Sequence, residues 1–340
     1  MRPARDRPGQ WDDTWRQEPV TEMSDFTLNG ITVVDTFAEA FDVAGTALII
    51  TNDTAKWAMI AAVTMTGFAT SVIGCGAEAG IDCELSPDET PDGRPGVRVL
   101  LFGFEPNGLK DQLLKRVGQC ILTCPGTACY AGVEGPHKIK LGGAIRYFGD
   151  GFAVAKRLPD PATGKARRYW RIPVMDGEFL CEDFVRAVDG AVGGGNLLFL
   201  GRTHAGTLKV AEIAVDAARA VSDVILPFPG GIVRSGSKVG ARTKGMMAST
   251  NDAYCPTLKG RAGSELAAEV GVVLEIVIDG LTSRSVAESM RAALHASTEA
   301  GAAHGLVAVT AGNYGGNLGR HHYHLKDLLS KEPAAEATAS

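Results

Sequence analysis

Two stretches of this chain follow the same order of apolar runs and helical periods, and that repetition limits the fold more than any other feature. The first opens with the aliphatic run Ala47 to Ile50, followed by Thr51-Asn52-Asp53-Thr54, residues suited to capping a helix N-terminus. Trp57, Ile60, Ala61 and Met65 then recur at helical spacing. A second strand is expected around Thr70 to Ile73, then a Gly/Pro-rich segment, then a third strand from Val97 to Phe104. Leu109, Leu113, Leu114 and Val117 mark one face of a second helix, and Gln119 to Thr123 reads as a fourth strand. The second stretch repeats the plan. It has a strand from Asn196 to Leu200, a helix from about Ala205 to Val221, a strand from Asp223 to Pro227 and a strand from Val272 to Ile278. A helix capped by Thr282 and Ser283 and a strand from Gly305 to Thr310 complete it.

Each stretch is β-α-β-β-α-β, the order of a ferredoxin-like sandwich with helices on one face of an antiparallel sheet. The expected class is α+β, with duplicated ferredoxin-like lobes over residues 24–143 and 191–330. Residues 144–190 insert a β-hairpin, Ala144 to Leu158 and Arg167 to Leu180 around a turn at Pro159 to Gly164, and Gly190 to Gly195 returns the chain. Residues 1–23 are polar without a hydrophobic period and read as a disordered extension, with Met23 a candidate biological start. Residues 331–340 read as a disordered tail.

Composition excludes several function classes. A net charge of -5, with no basic stripe interleaved with aromatics, gives no sign of a nucleic-acid partner. No apolar run approaches the roughly 18 residues that span a bilayer. Seven cysteines without a secretory signal read as thiols in a reducing cytoplasm.

The candidate metal groups are weak. Cys120, Cys124 and Cys129 lack the spacing of a structural zinc site, and His321, His322 and His324 lack nearby acidic ligands, so no metal is expected. Gly193-Gly194-Gly195 precedes a strand, whereas phosphate loops follow one. Cys255 and Cys124 are candidate acyl nucleophiles without a sequence-near histidine, or inert buried thiols.

Two features point to a site. Pro227 to Thr257 is a polar loop far longer than the roughly 12–15 residues of a plain connector. It leads to Val272-Val273-Leu274-Glu275-Ile276-Val277-Ile278, one carboxylate among six aliphatic residues. Either Glu275 is a paired or solvent-facing structural carboxylate, or burial keeps it partly neutral so that it can move a proton.

Several longer segments carry a resemblance. They are Asp35-Thr36-Phe37-Ala38-Glu39-Ala40-Phe41, Thr66-Gly67-Phe68, Glu89 to Val97, Pro227 to Ile232, Ala248 to Pro256 and Ala311-Gly312-Asn313-Tyr314-Gly315-Gly316. From about Asn29 to Leu328 the chain resembles formylmethanofuran:tetrahydromethanopterin formyltransferases. The resemblance implies reversible formyl transfer between the amine of methanofuran, or an analogue, and N5 of tetrahydromethanopterin. Both carriers are substrates, and no cofactor is permanently bound. It implies Glu275 as the catalytic residue, a homo-oligomer (dimer or tetramer), and a duplicated ferredoxin-like fold.

The N-terminal extension and the modest acidity depart from salt-adapted methanogen members and point to a methylotrophic bacterium. There the resemblance implies a subunit of a formyltransferase/hydrolase complex. By residue type, Ser249, Thr250, Asn251, Asp252 and Tyr254 are expected to line the cleft with Asn313, and Gly230 and Gly231 to let backbone approach flat ligands. A cysteine-dependent acyltransferase and a non-catalytic carrier-binding subunit of a hydrolase complex remain the alternatives.

Overall fold

The structure, a computed structural model, describes residues 24–159, 164, 166–238, 241–246, 248–261 and 263–329. The two expected disordered ends and most of the turn from Pro159 to Gly164 lie outside the described residues. The first described element is a hairpin, β1 (Phe26–Leu28) and β2 (Ile31–Val33), turned at Asn29-Gly30. Both turn residues have positive φ, 52° and 81°, which an Asn-Gly pair tolerates in a two-residue hairpin loop.

The first half then runs β3 (Phe37–Thr51), α1 (Ala55–Thr66), a one-turn helix α2 (Val72–Cys75), β4 (Glu78–Leu85), β5 (Gly96–Gly103), α3 (Pro106–Arg116) and β6 (Ala128–Ala131). Its strands lie in the order β4-β5-β3-β6, all antiparallel. Next come β7 (His137–Lys140), a short helix α4 (Gly142–Ile145), β8 (Val154–Pro159), β9 (Ala166–Val174) and β10 (Gly177–Glu182). The second half runs β11 (Phe184–Gly201), α5 (His204–Arg219), β12 (Val224–Ile225), β13 (Ile232–Val233), β14 (Val272–Gly280), α6 (Ser283–His304), β15 (Leu306–Thr310) and β16 (His321–His324). Its strands lie in the order β12-β14-β11-β15, again antiparallel. The long strands β3 and β11 pair with each other, so both halves join one large, mostly antiparallel sheet.

Helix starts follow from side-chain capping. Thr54 Oγ1 accepts the Trp57 amide at the start of α1, Thr203 Oγ1 accepts the Gly206 amide at α5, and Thr282 and Ser285 form a reciprocal box at α6. One core fills the space beneath α5 and α6, where Leu274, Ile276 and Ile278 of β14 meet Val286, Met290 and Leu294. A second lies beneath α1 and α3, around Leu48, Ile50, Val99 and Leu101.

Several sequence expectations need correction. Thr70 makes only an isolated bridge to Glu78, and Val72–Cys75 is helical; the second strand is Glu78–Leu85, inside the segment read as Gly/Pro-rich coil. Gln119 to Thr123 is not a strand. Leu109, Leu113, Val117 and Ile121 are all fully buried at intervals of four, so the helical stripe of α3 carries on as a π-turn over Val117–Ile121. Short apolar runs fit either period, and here tertiary packing selects the helix. The hairpin's first arm is also shorter, because Gly142–Ile145 and Arg146–Gly149 are helical, and β8, β9 and β10 form a three-stranded antiparallel meander. Gly190 to Gly195 does not return the chain. It bends β11 through two register shifts, with Gly190 and Gly194 at positive φ.

A third apolar cluster, Ala47, Leu100, Phe102, Ala191, Ile225 and Leu281, forms the seam between the halves. Beside it Arg98 Nη1 donates to Asp82 at 2.5 Å and to Asp223 at 2.6 Å, one carboxylate from each half. At Gly80 an added Cβ would meet Ile225 Cβ at 2.8 Å. Gly80→Ala is therefore expected to destabilise the chain by about 1–3 kcal/mol, read as a lower urea midpoint with unchanged slope. An unchanged midpoint would show that the seam gives way without cost.

Candidate functional site

The site forms where β14 passes between β11 and the two-residue strand β13. Glu275 stands opposite Leu198 on one side and Val233 on the other. Strand alternation sends Leu274, Ile276 and Ile278 to the helix-covered core and leaves Val273, Glu275 and Val277 on the opposite face. The long loop between β13 and β14 folds back over that face. It closes a cleft of about 40 Å³ in which Glu275 and Val273 meet Arg234, Ser235 and Gly236. Thr250, Asn251, Tyr254 and Cys255 form the other wall.

Glu275 is half-buried, and among the described residues no hydrogen bond or ion pair holds its carboxyl group. Desolvation alone pushes its pKa up to about 7. A carboxyl group poised there is protonated and deprotonated in comparable amounts near neutral pH, which suits a proton donor or acceptor.

Of the other expected site residues, Thr250, Asn251 and Tyr254 lie on the cleft wall with Glu275. Tyr254 donates to Glu265 at 2.6 Å, and burial pushes its phenol well above the ordinary value. Ser249 is half-buried beside Thr250 and is not part of the wall. Asp252 faces Lys238 Nζ at 2.6 Å, and that hydrogen bond holds its pKa low. Gly230 and Gly231 turn the chain ahead of β13, with Gly231 packed so closely on Val215 of α5 that a Cβ would sit 2.9 Å from it. Asn313 is exposed on a neighbouring loop and donates to Thr36 Oγ1 at 2.8 Å.

The two candidate thiols differ in place. Cys255 is on the cleft wall, with Sγ 3.2 Å from the Asn251 carbonyl and 3.3 Å from Thr250 Oγ1, and no histidine lines the cleft. Cys124 packs against the core beneath α1 and α3, near Trp57, and burial raises its pKa, with Asp176 adding to the effect, which opposes thiolate formation. His321 bonds Asp42 at 2.8 Å, and His322 and His324 pack on the Phe37 ring. Among the described residues no three His, Cys, Asp or Glu side chains gather as a metal set, and no helix is long and apolar enough to cross a membrane.

Sequence reasoning missed the support of the loop from Gly312 to Gly319. Glu39, fully buried on β3, accepts four backbone amides from that loop. Oε2 takes Tyr314 and Gly316 at 2.7 and 2.8 Å, and Oε1 takes Leu318 and Gly319, both at 2.6 Å. Burial pushes its pKa up, but the four N–H donors outweigh it and hold the carboxyl below its ordinary value. Asn196 of β11 fixes the loop's start, accepting from the Gly312 amide at 2.6 Å and donating to its carbonyl at 3.2 Å. The only signal in the sequence was a carboxylate between two alanines in an apolar strand.

Residues 26–174 match the sequence profile of formylmethanofuran-tetrahydromethanopterin formyltransferases, and residues 177–328 match that of the proximal lobe of the same enzymes. The chain belongs to this formyltransferase family. One subunit of the formyltransferase/hydrolase complex of Methylorubrum extorquens is 88% identical over 92% of this chain and all of its own length. The formylmethanofuran–tetrahydromethanopterin formyltransferase of Methylococcus capsulatus is 52% identical over 89% of this chain and 99% of its own. Among solved structures, a chain of the Methylorubrum extorquens complex, crystallised with methylofuran, superposes with a TM-score of 0.89 at 87% identity, covering 91% of this chain and all of that one. The Methanosarcina barkeri formyltransferase superposes with a TM-score of 0.82 at 40% identity, over 89% of this chain and all of that one.

Proposed function

We propose that this chain reversibly transfers a formyl group between the amine of methanofuran, or a close analogue such as methylofuran, and N5 of tetrahydromethanopterin. The observation that carries this reading is Glu275, a carboxyl group without a partner among the described residues, poised near neutrality in a cleft of a formyltransferase-family chain. Both carriers bind together. One amine attacks the formyl carbon of the other carrier's amide, and a tetrahedral oxyanion forms. As it collapses the old C–N bond breaks, and Glu275 gives the departing nitrogen its proton; the attacking nitrogen's proton returns the carboxylate to its acid form. The chain's own groups suffice for these proton movements, and the carriers come and go as substrates.

We assign the two β-α-β-β-α-β halves to duplicated ferredoxin-like lobes, residues 24–143 and 191–330, flanking an insertion at 144–190. The strand orders β4-β5-β3-β6 and β12-β14-β11-β15 support that assignment. In the cell we place the chain in the cytoplasm, as a homo-oligomer joined to hydrolase subunits. Its likeness to a member of the Methylorubrum extorquens formyltransferase/hydrolase complex supports the second part. Sedimentation at micromolar concentration is expected to give at least twice the 35.6 kDa of one chain, and a mass of one chain would contradict the homo-oligomer.

The test of the activity is formyl transfer between the two carriers by the purified chain. No transfer would favour a subunit that binds a carrier without doing chemistry. Cys255 on the cleft wall supports a second reading, acyl transfer through its thiol. Cys255→Ala is expected to retain transfer within about threefold, because among the described residues no histidine lines the cleft to activate the thiol; a loss of activity with the fold intact would favour the thiol.

A further inference from the structure

The loop that carries Tyr314 is fixed more firmly than a connector between β15 and β16 requires. Four of its amides end on one buried carboxylate, Glu39, and its first glycine is held by Asn196. Burying a carboxylate is favourable only when strong donors satisfy it, so the loop has in effect one permitted conformation. Tyr314 is half-buried at the point this frame holds most directly, since its own amide is one of the four. Its ring packs 6.0 Å from that of Phe41. Its hydroxyl lies 3.0 Å from Ser237 Oγ, one residue beyond the cleft-lining Gly236. Burial raises the Tyr314 pKa, Ser237 lowers it in part, and the nearby Glu275 adds to the rise, so the phenol keeps its proton and stands within electrostatic reach of the carboxyl.

We propose that Tyr314 is a further catalytic residue for formyl transfer, donating its phenolic hydrogen to the oxyanion of the tetrahedral intermediate, and that Glu39 is the positioning residue that aims it. Either hydroxyl of the Ser237–Tyr314 pair can donate across the 3.0 Å between them; with Ser237 as the donor, the phenol proton is free to turn toward the cleft, whose lining reaches the neighbouring Gly236. Glu275 handles the nitrogen proton and Tyr314 the oxygen charge, so one group moves a proton while the other only lends a hydrogen bond. No bond to Tyr314 forms or breaks. A rigid donor serves this role well, because a preorganised hydrogen bond costs no reorganisation when charge develops. The inference rests on the formyl-transfer reading above.

The experiment measures steady-state formyl transfer by the full chain as Tyr314→Phe, as Glu39→Gln and as the double variant, beside wild type and Glu275→Gln. Tyr314→Phe removes one hydroxyl and is expected to lower kcat about 10²-fold with both KM values nearly unchanged. Glu39→Gln keeps the size but exchanges one accepting oxygen for an amide nitrogen, and is expected to lower kcat by at least about tenfold in the tyrosine background. In the Tyr314→Phe background it should lower kcat no further, since its effect runs through the phenol. Wild-type kcat in Tyr314→Phe, with Glu275→Gln slow, would overturn the role of Tyr314 and leave the formyl-transfer reading standing. Additive losses in the double variant would reduce Glu39 to a stabilising residue and overturn its positioning role. No transfer by wild type would overturn both the inference and the reading it rests on. Should Glu39→Gln fail to fold, Tyr314→Phe alone still decides the donor.

Discussion

Glu275→Gln is expected to transfer formyl groups about 10²- to 10⁴-fold more slowly than wild type while folding and binding both carriers as before. Glutamine keeps the shape and can donate a hydrogen bond, but it cannot release a proton to a departing nitrogen. Stability should move the other way. Glu275 has a folded-state pKa of about 7 against an ordinary 4.5. The folded state therefore prefers the proton. Below the ordinary value the group is neutral whether folded or unfolded and costs nothing. As pH rises from there the unfolded chain ionises first, and the penalty grows until pH passes about 7, where it reaches on the order of 3 kcal/mol. The glutamine variant carries no such penalty. It should melt higher than wild type at pH 8 and at the same temperature near pH 4. Wild-type turnover would remove Glu275 from the chemistry, and a collapsed melting temperature would make it structural.

Glu39 should behave in the opposite sense. Glu39→Ala leaves four amides, one buried and three partly buried, without their acceptor, and a loss of about 2–4 kcal/mol is expected, read by urea unfolding. Its folded-state pKa lies below the ordinary value. Its stabilisation is therefore complete above the unfolded pKa of about 4.3 and is lost as pH falls through the lower, folded-state value. Wild type should lose stability with acid more steeply than Glu39→Ala in that range. Parallel acid curves for the two proteins would show that the carboxylate contributes nothing as a charge.

These two carboxylates also show what the sequence can and cannot disclose. Glu275 was legible because its surroundings are local. Alternation along Val272 to Ile278 places it opposite the core-facing Leu274 and Ile276, whatever the rest of the fold does. Thr250, Asn251 and Tyr254 were legible as polar residues in an overlong loop, but their meeting with Glu275 was not, because β13 and the fold-back of the loop set it. Glu39 could not be read in the same way. Its four donors lie 275 to 280 residues further along the chain. The misplaced strands have equally physical causes. Gly80 breaks the apolar pattern of β4 because Ile225 of the other half presses on it, and the stripe ending at Ile121 belongs to a helix extended by a π-turn. The order of strands and helices survived these errors because it depends on the longer elements.

The central claim is that one carboxyl group, Glu275, supplies the proton of formyl transfer, and the pH dependence of the rate tests it most directly. Formyl transfer is followed for wild type and Glu275→Gln side by side between about pH 5.5 and 8.5, with both carriers saturating. The account predicts that the wild-type rate bends near pH 7, where Glu275 titrates, and that the slow residual rate of the variant lacks this bend. The same bend in both proteins, or a variant as fast as wild type, would contradict it.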